Sequence, residues 1–313
     1  MVPSWADLAL VCPACRAPLF CGPGGASCPS CGARYEVRDG VLDLRVGREG
    51  APGFDPHYFS FLAEYDRRHF WFKGRREVVR EALQRVIADP ERHRLFDVGC
   101  GSGGLLEFLV SQGIRVAGAC DAYAESLRLV RQRVDAPLVL TDEGRLPPLG
   151  AGQTLLGLFD VLEHIDDDQG TLGFLFSVLE PGGVLALTVP AHPFLFDEMD
   201  VLAHHRRRYV RSELRRKLEH AGFRVERITH FMSPLVAPLL VMRSLGRLFG
   251  GRRSAGSRRA LELRPLPGLN EVLTLLLSVE RLLLRFVSLP FGSSILAVAV
   301  RPDVNDPARI GRR

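Results

Sequence analysis

The sequence lacks any uncharged apolar run of roughly 18 residues, which is the length that a membrane-spanning helix needs. Its first residues also lack the basic start, the apolar stretch and the cleavage site of a secretory leader. Charge of one sign is scarce too, since 41 basic and 36 acidic residues leave a net charge of +5. So small an excess permits an anionic partner without demanding one. These absences predict a cytoplasmic protein, with peripheral membrane association left open.

The seven cysteines are present in a pattern that favours metal binding over disulfides, because a reducing compartment does not support a disulfide framework. Four of them form two Cys-x-x-Cys pairs, and each pair presents two sulfurs from one tight turn. Zn²⁺ accepts four thiolates and can hold together a unit too small for its own core. A redox dithiol or unrelated buried thiols are the alternatives. The expected ligands of this structural Zn²⁺ are Cys12, Cys15, Cys28 and Cys31.

The remaining composition is that of an ordinary globular protein, with 46% hydrophobic and 25% charged residues over 313 positions. We expect a zinc ribbon over 1–47, a linker and aromatic-rich helix over 48–74, and a large domain over 75–313 with a helical insertion at 232–291. The GREGAPG stretch marks the linker. The other cysteines, Cys21, Cys100 and Cys120, are expected to pack as small apolar residues.

From Arg94 onward, apolar runs typical of strands alternate with helical patterns. Such alternation predicts an α/β fold with a doubly wound, mostly parallel sheet covered by helices on both faces. A helix that Ser212 can cap and that stops at Gly222 is followed by two more strands. The expected strands are Leu95 to Val98, Val116 to Cys120, Leu138 to Leu140, Leu155 to Phe159, Val184 to Val189, Phe223 to Ile228 and Ile295 to Val300.

The stretch LFDVGCGSGGLLEF joins the first of these strands to a helix through a glycine-rich turn. Gly99, Gly101 and Gly104 satisfy the dinucleotide pattern GxGxxG, but the same turn also fits S-adenosylmethionine (SAM) when Gly103 is the third glycine. Asp97 decides between them, since its carboxylate would orient an ammonium group and repel a pyrophosphate. The alternative role for Asp97 is to cap the turn itself. The sequence therefore favours a cationic ligand.

Five motifs in order resemble the class I SAM-dependent methyltransferases: DVGCGSGG, CDAYAESL, TDEGRLP, FDVLEHIDDD and LEPGGVLALTVPA. The resemblance covers about 70–231 and the last strand. It implies a seven-stranded Rossmann-like sheet whose last strand is antiparallel, with Asp121 on the ribose hydroxyls and Asp142 near the adenine amino group. Cys120 and Thr154 depart from the family pattern. The expected cofactor-binding residues are Asp97, Gly99, Gly101, Gly103, Asp121, Asp142 and Asp160.

The N-terminal unit, with YEVRDGVLDL after its last cysteine, resembles the small zinc-ribbon proteins that activate tRNA and release-factor methyltransferases. The resemblance implies that this chain carries such a ribbon fused to its enzyme. We expect the ribbon to have a structural or substrate-presenting role.

Candidate catalytic residues follow the fourth and fifth strands. His164 is the first choice for a general base, because an imidazole can accept a hydroxyl proton near neutrality, and Glu163 and His205 are expected to act with it. Alternatively, Glu163 and His164 cap the next helix. Asp160-x-x-Glu163-His164 also resembles the metal-binding ExxEH motif of ubiquinone-pathway O-methyltransferases and small-RNA 2′-O-methyltransferases, which would imply Mg²⁺, although Asp replaces the first Glu. Further candidates are His192, Asp200, His204 and Tyr209.

Two basic stretches leave the partner open. The run HHRRRY at 204–209 could contact RNA phosphates, and a zinc ribbon ahead of a methyltransferase also resembles the ribosomal RNA guanine methyltransferases. Arginines that pair with carboxylates are the other interpretation. The insertion at 232–291 joins two leucine-rich runs through Arg252, Arg253, Arg258 and Arg259. It predicts a helical cap, a homodimer surface or a peripheral membrane contact.

Together these features predict methyl transfer from SAM to a small molecule, at a hydroxyl of an apolar or amphiphilic metabolite. An RNA methyltransferase and a non-catalytic SAM-binding partner protein are the alternatives. The leucine-rich insertion, rather than any motif, suggests the apolar acceptor.

Overall fold

The structure is a computed structural model that describes residues 5–47, 57–87, 89–241 and 265–303. Eleven strands form one sheet. The strands are β1 (Phe20–Gly22), β2 (Gly25–Ser27), β3 (Arg34–Arg38), β4 (Val41–Asp43), β5 (Leu95–Val98), β6 (Val116–Asp121), β7 (Leu138–Leu140), β8 (Gln153–Phe159), β9 (Leu179–Pro190), β10 (Arg224–Phe231) and β11 (Ser294–Val300).

Helices connect the strands of the larger part of the sheet. The described helices are α1 (His57–Tyr65), α2 (Phe70–Val86), α3 (Gly104–Ser111), α4 (Ala124–Arg131), α5 (Asp168–Val178), α6 (Glu198–Leu202), α7 (Arg211–His220) and α8 (Leu269–Leu284). Short 3₁₀ turns lie at Trp5–Leu8, Leu162–His164, Pro193–Leu195 and Ser233–Leu235.

Seven strands have the spatial order β7-β6-β5-β8-β9-β11-β10. The first five are mutually parallel, and β11 runs antiparallel to both of its neighbours. This order agrees with the predicted doubly wound sheet with an antiparallel last strand. Because parallel strands joined by crossovers bury both faces, the parallel strands β5 to β9 are mostly apolar runs rather than alternating ones, whereas the first half of the edge strand β10 alternates.

Two layers of helices cover the faces of this sheet. On one face, Phe96, Leu156 and Leu185 lie in the same apolar cluster as residues of α5 and α7. On the other face, Leu95 and Leu155 lie in a second cluster with residues of α2, α3, α4 and α8. Neighbouring residues of one strand thus enter opposite layers, which is the period-2 geometry of a strand. The carboxyl edge of the sheet is left for the site.

The N-terminal unit extends the sheet instead of standing apart from it. β1 to β4 form an antiparallel meander, and β4 pairs in parallel with β7 through Val41 and Leu138. The Trp5 indole Nε1 donates to the Leu138 carbonyl oxygen over 3.1 Å. Leu42 is fully buried. The sheet therefore has eleven strands where the sequence predicted seven, because the apolar edge strand β7 gains a partner.

The second leucine-rich run of the insertion forms α8, which packs against α2. A Cβ built on Gly74 would lie 2.8 Å from the Leu277 side chain, so the two helices approach closely there. Arg281 pairs with Glu77 over 3.0 Å. The basic centre of the insertion and most of the GREGAPG linker lie outside the described residues. Across the parts of the chain that are described, no helix combines the length and apolarity of a membrane span.

Candidate active site

The glycine-rich turn after β5 is fixed to the neighbouring strand β6. The Gly101 amide donates to Asp121 Oδ2 over 2.8 Å, and the Gly99 amide donates to the Cys120 carbonyl over 2.8 Å. Gly101 has φ +54°, and a Cβ built on it would meet no atom within 4 Å. A side chain there would be strained and would fill the space above the turn. The turn is therefore an open cradle bordered by backbone.

Asp97 is the most deeply buried acid beside this cradle. It lies in β5, is 2% exposed, and its Oδ1 accepts no hydrogen bond from a described residue. Burial raises the pKa of Asp97 to about 7, against the opposing positive charge of Arg75. A buried carboxylate oxygen without a donor is costly unless a ligand supplies one. The predicted alternative role, a cap on the turn, does not account for this oxygen.

Asp121 is the last residue of β6, and Asp142 follows β7. Asp121 Oδ1 accepts from the Tyr123 amide over 3.0 Å while its Oδ2 holds Gly101, so the carboxylate orders the turn. Asp142 lies further out, where the amides of Val46 and Gly47 donate to its carboxylate over 2.9 and 3.3 Å. The segment that leaves the N-terminal unit is thus attached to the acid expected near adenine.

Asp160 contacts Arg75, a residue that the sequence did not predict for the site. Its Oδ2 pairs with Arg75 Nε over 2.6 Å, and Arg75 Nη2 donates to the Phe159 carbonyl over 2.6 Å. Arg75 comes from α2, which precedes β5 in the chain. No sequence motif marks Arg75, because its position in the helix is like that of any other polar residue in a helix. Only the packing of α2 over the sheet brings its charge to Asp97 and Asp160.

The structure brings the three predicted catalytic residues together. Ligand atoms of Glu163, His164 and His205 all lie within 4.8 Å of one another. Glu163 is 0% exposed, and neither of its oxygens accepts a hydrogen bond from a described residue. Burial raises the pKa of Glu163 well above its usual range, and the charge of Asp160 adds to the rise. This carboxyl group is poised to bind a proton or a cation.

The two histidines of this cluster have different partners. His164 Nδ1 lies 3.3 Å from the His204 carbonyl oxygen, and burial lowers the pKa of His164 to about 4. Burial disfavours the imidazolium, so His164 is a weaker proton acceptor near neutrality than the sequence prediction assumed. His205 Nδ1 instead donates to Asp200 Oδ1 over 2.8 Å, and its Nε2 lies 3.9 Å from Glu163. A carboxylate behind an imidazole supports the protonated ring.

Asp200 is itself held in the charged form. Although burial raises the pKa of Asp200, hydrogen bonds from His205 and Arg208 lower it to about 2. Tyr209, another candidate, is fully buried and donates to Asp168 Oδ2 over 2.9 Å, so it belongs to the core. His204 has φ +57° and shapes the turn before the basic run.

The three arginines of the basic run pair with carboxylates. Arg206 pairs with Asp166 over 3.3 Å, Arg207 with Asp168 over 3.2 Å, and Arg208 with Asp200 over 2.8 Å. These contacts match the carboxylate-pairing interpretation of the sequence.

The four cysteines of the N-terminal unit form one cluster. The Sγ atoms of Cys12 and Cys31 are 3.7 Å apart, and those of Cys15 and Cys28 are 3.5 Å apart. Four thiolates placed tetrahedrally about 2.3 Å from Zn²⁺ lie about 3.8 Å from one another. The spacing therefore fits a structural zinc site. Cys21 lies in β1 outside this cluster, and Cys100 and Cys120 are buried.

Comparison with known proteins finds similarity to methyltransferases. A family model described as a methyltransferase domain matches residues 70–228. A protein named "Probable S-adenosylmethionine-dependent methyltransferase", from Mycolicibacterium smegmatis, is 31% identical over 163 residues, which are 50% of this chain and 61% of that protein. The tRNA 5-carboxymethoxyuridine methyltransferase of Escherichia coli K12 is 30% identical over 156 residues, 45% of this chain and 59% of that enzyme. The chain thus spans less than two thirds of these relatives.

One solved structure shows the fold. It is the complex between the Haloferax volcanii Trm112 methyltransferase activator and a methyltransferase, matched with a TM-score of 0.50 at 17% identity, over 78% of this chain and 96% of that chain.

The cysteine cluster generates a first prediction. The purified chain is expected to contain one zinc ion, measured by plasma mass spectrometry, and Cys28→Ser is expected to lose it. Cys21→Ser is the matched control, because this cysteine lies in the same unit outside the cluster. Full zinc content in Cys28→Ser, or none in the unaltered chain, would refute the site.

Proposed function

Since the chain belongs to the methyltransferase domain family, we propose that it transfers a methyl group from SAM to a hydroxyl group of a small apolar or amphiphilic molecule. The observation that carries the proposal is the buried Asp97 oxygen without a donor, beside the open turn at Gly101. SAM supplies a methyl group on a sulfonium and an ammonium group that such a carboxylate can bind.

Each residue around the turn is assigned to a different part of SAM. Asp97 would accept from the ammonium, and the backbone near Gly101 would lie against the amino-acid part. Asp121 would reach the ribose with the lone pairs that its two backbone bonds leave, and Asp142 the adenine. Arg75 balances the acids, since its charge opposes the raised pKa of both Asp97 and Glu163.

The raised pKa of Asp97 makes the affinity for SAM depend on pH. Below pH 7 this carboxyl group is protonated and must lose its proton to bind an ammonium. Between pH 8 and pH 6 we expect the Kd for SAM to rise about tenfold through Asp97, since each pH unit below the pKa costs up to a factor of ten. Isothermal calorimetry at several pH values measures this.

Two variants separate that effect from the titration of SAM itself. Asp97→Asn is expected to bind weakly, and the pH dependence left in it belongs to the ligand. Asp39→Asn, at an exposed turn with φ +52°, is expected to behave like the unaltered chain. Equal pH dependence in Asp97→Asn and the unaltered chain would refute the role of Asp97.

For the acceptor side we propose His205 as the general base, ahead of His164. The hydroxyl proton would pass to His205 Nε2 as the oxygen takes the methyl group and the bond to sulfur breaks. Asp200 would stabilise the resulting imidazolium, because its carboxylate lies 2.8 Å from His205 Nδ1. His164, with a pKa of about 4, is a weaker acceptor. We assign His164 the role of positioning its neighbour His205 in the cluster.

A metal ion at Glu163, His164 and His205 is the second possibility for this cluster. The donors are two imidazoles and one carboxylate, whereas Mg²⁺ prefers oxygen ligands. Asp160, which the ExxEH resemblance would add as an oxygen donor, is paired with Arg75. The donor set therefore suits a transition metal such as Zn²⁺ or Mn²⁺ better than Mg²⁺.

The roles in this cluster are separable by activity. With methyl-labelled SAM and fractionated cell extracts as acceptors, His205→Gln is expected to lower transfer by about 10²- to 10⁴-fold with the Kd for SAM unchanged. His164→Gln is expected to lose less, and His220→Gln, exposed on α7, nothing. A larger loss in His164→Gln would reverse the assignment. Activity lost on chelation and restored by a transition metal would indicate a bound ion.

RNA is a weaker candidate for the acceptor. A relative named as a tRNA methyltransferase keeps it open. However, the arginines at 206–208 are each engaged with a carboxylate, which leaves less positive charge for phosphates. Label appearing in the RNA fraction of the same extracts would overturn the small-molecule assignment. SAM binding without any transfer would favour the non-catalytic alternative.

We also propose a structural role for the N-terminal unit as a zinc ribbon acting within the chain. Its strand β4 covers the edge of β7, and its exit segment donates two amides to Asp142. A metal-stabilised ribbon would thus support the strand that precedes the adenine end of the site.

The exposed face of α8 supports a contact with an anionic membrane surface. Apolar side chains recur every three or four residues along it, and Leu275 is 65% exposed. Phe286, two residues after the end of the helix, is 86% exposed. The preceding segment 242–264 contains seven arginines and one acidic residue. Apolar side chains beside arginines suit an anionic lipid surface, to which each basic residue adds about 1 kcal/mol.

Vesicle sedimentation tests this contact. The chain is expected to bind vesicles containing phosphatidylserine, less so at high salt, and Leu275→Glu with Phe286→Glu to weaken binding at least about tenfold. Phe20→Glu is the control, because Phe20 is an exposed phenylalanine in the N-terminal unit. A dimer in solution with no vesicle binding would assign the face to the homodimer alternative instead.

A further inference from the structure

Two histidines outside the Glu163–His164–His205 cluster stack at the same edge of the sheet. His192 follows β9 and His230 lies near the end of β10, with ring centroids 5.0 Å apart and planes 5° from parallel. The Nε2 atom of each ring is buried and has no hydrogen-bond partner among the described residues. Buried polar atoms without a partner are uncommon in proteins, so both nitrogens are available to a ligand or to water.

The protonation of the two rings limits what they can bind. His230 Nδ1 lies 3.3 Å from the Leu289 carbonyl oxygen, which only accepts, so Nδ1 carries the proton and Nε2 presents a lone pair. Burial lowers the pKa of His230 to about 4, and it also lowers the pKa of His192. Both imidazoles are neutral at pH 7. A hydroxyl group can donate its one proton to His230 Nε2 and accept from His192 Nε2 when that ring carries its proton on Nε2.

The surroundings disfavour a cation. Arg208 and Arg211 lie close enough for their charges to lower the pKa of His192 and His230, respectively. Among the described residues, no group of three or more His, Cys, Asp or Glu side chains with ligand spacing includes either histidine. Positive charge nearby and no carboxylate in the pair argue against a metal ion or an ammonium group. A neutral donor is left.

Aromatic side chains supply an apolar wall. The Phe291 ring centroid lies 4.4 Å from that of His192, and the Phe194 centroid lies 5.1 Å from it. Phe194 is 54% exposed and Phe291 41% exposed, so the wall opens to solvent. Such a surface can cover the apolar body of a ligand whose hydroxyl reaches the two rings.

We propose that His192 and His230 bind a hydroxyl group of a neutral, apolar acceptor other than the hydroxyl that takes the methyl group, with Phe194 and Phe291 against its body. This inference rests on the proposed function, because it names the binding site of the same acceptor. Arg208 links the pair to the cluster: its Nη1 donates to the Ala191 carbonyl over 3.3 Å, and its Nε donates to Asp200, which holds His205. The bound hydroxyl and the proton acceptor thus share one hydrogen-bonded support.

The test compares phenol with anisole, which has the same ring but no hydroxyl proton. In the full chain with ¹⁵N-labelled histidine, phenol is expected to shift the Nε2 resonances of both histidines in a saturable way. Anisole is expected to bind about tenfold more weakly, the usual worth of one hydrogen bond to a buried group. Anisole binding as well as phenol, phenol shifting neither histidine, or Zn²⁺ occupying the pair more tightly would overturn the proposal.

Variants give a second measurement. His230→Phe keeps a ring in the stack, and His192→Asn suits the φ of +61° at that position. Each is expected to bind phenol no better than anisole while the Kd for SAM is unchanged, and His220→Phe to behave like the unaltered chain. Phenol preference surviving in both variants would overturn the site. If a variant also loses SAM, the comparison of phenol and anisole in the unaltered chain decides. Failure of the unaltered chain to bind SAM refutes the proposed function instead.

Discussion

The parallel register of β5 to β9 constrains everything at the site. Five strands end at one edge, so the residues that follow them are brought together however distant they are in sequence. Asp97 is the penultimate residue of β5, Asp121 ends β6, Glu163 follows β8 and His192 follows β9. Considered singly, none of these side chains has unusual chemistry. The edge of the sheet places them at one end of the fold, where Asp97 and Glu163 are buried.

Burial raises the pKa values of two carboxyl groups at this edge of the sheet. Asp97 and Glu163 both have raised pKa values, first because of desolvation and then because of neighbouring charges. A buried acid without a donor lowers the stability of the folded chain unless a ligand or proton compensates it. Arg75 offsets part of this cost from α2. Binding a cationic ligand at Asp97 would relieve more of it, so the apo site is prepared for such a ligand.

What the sequence could predict is what local spacing determines. The glycine turn, Asp97 and the two Cys-x-x-Cys pairs are signals within a few residues, and the strands of the large sheet are continuous apolar runs. Arg75 beside Asp160, and the stack of His192 on His230, depend on packing between elements far apart in the chain. The sequence offers no periodicity for either. The extension of the sheet to eleven strands also depends on long-range packing, because the pairing of β4 with β7 joins segments about a hundred residues apart.

The choice between His164 and His205 as the general base also depends on contacts that the sequence does not reveal. Both follow the expected strands, and sequence favoured the one inside a motif. Burial moves His164 away from neutrality, whereas Asp200 stands behind His205. The carboxylate comes from α6, within a capping arrangement in which it also accepts from the Asp197 amide over 2.9 Å. A helix start thereby doubles as the support of the imidazole. No pattern of residue types would reveal that.

Helix α8 connects the surface of the molecule with this edge. Its composition is apolar on most sides, which is typical of a helix that is covered all round, yet α2 covers only one side. Its buried Glu280 accepts from the amides of Met232 and Ser233, both over 2.7 Å. These two residues follow His230 directly after β10 ends. A contact on the exposed face of α8 would therefore act on a helix whose one buried carboxylate holds the backbone beside the histidine pair.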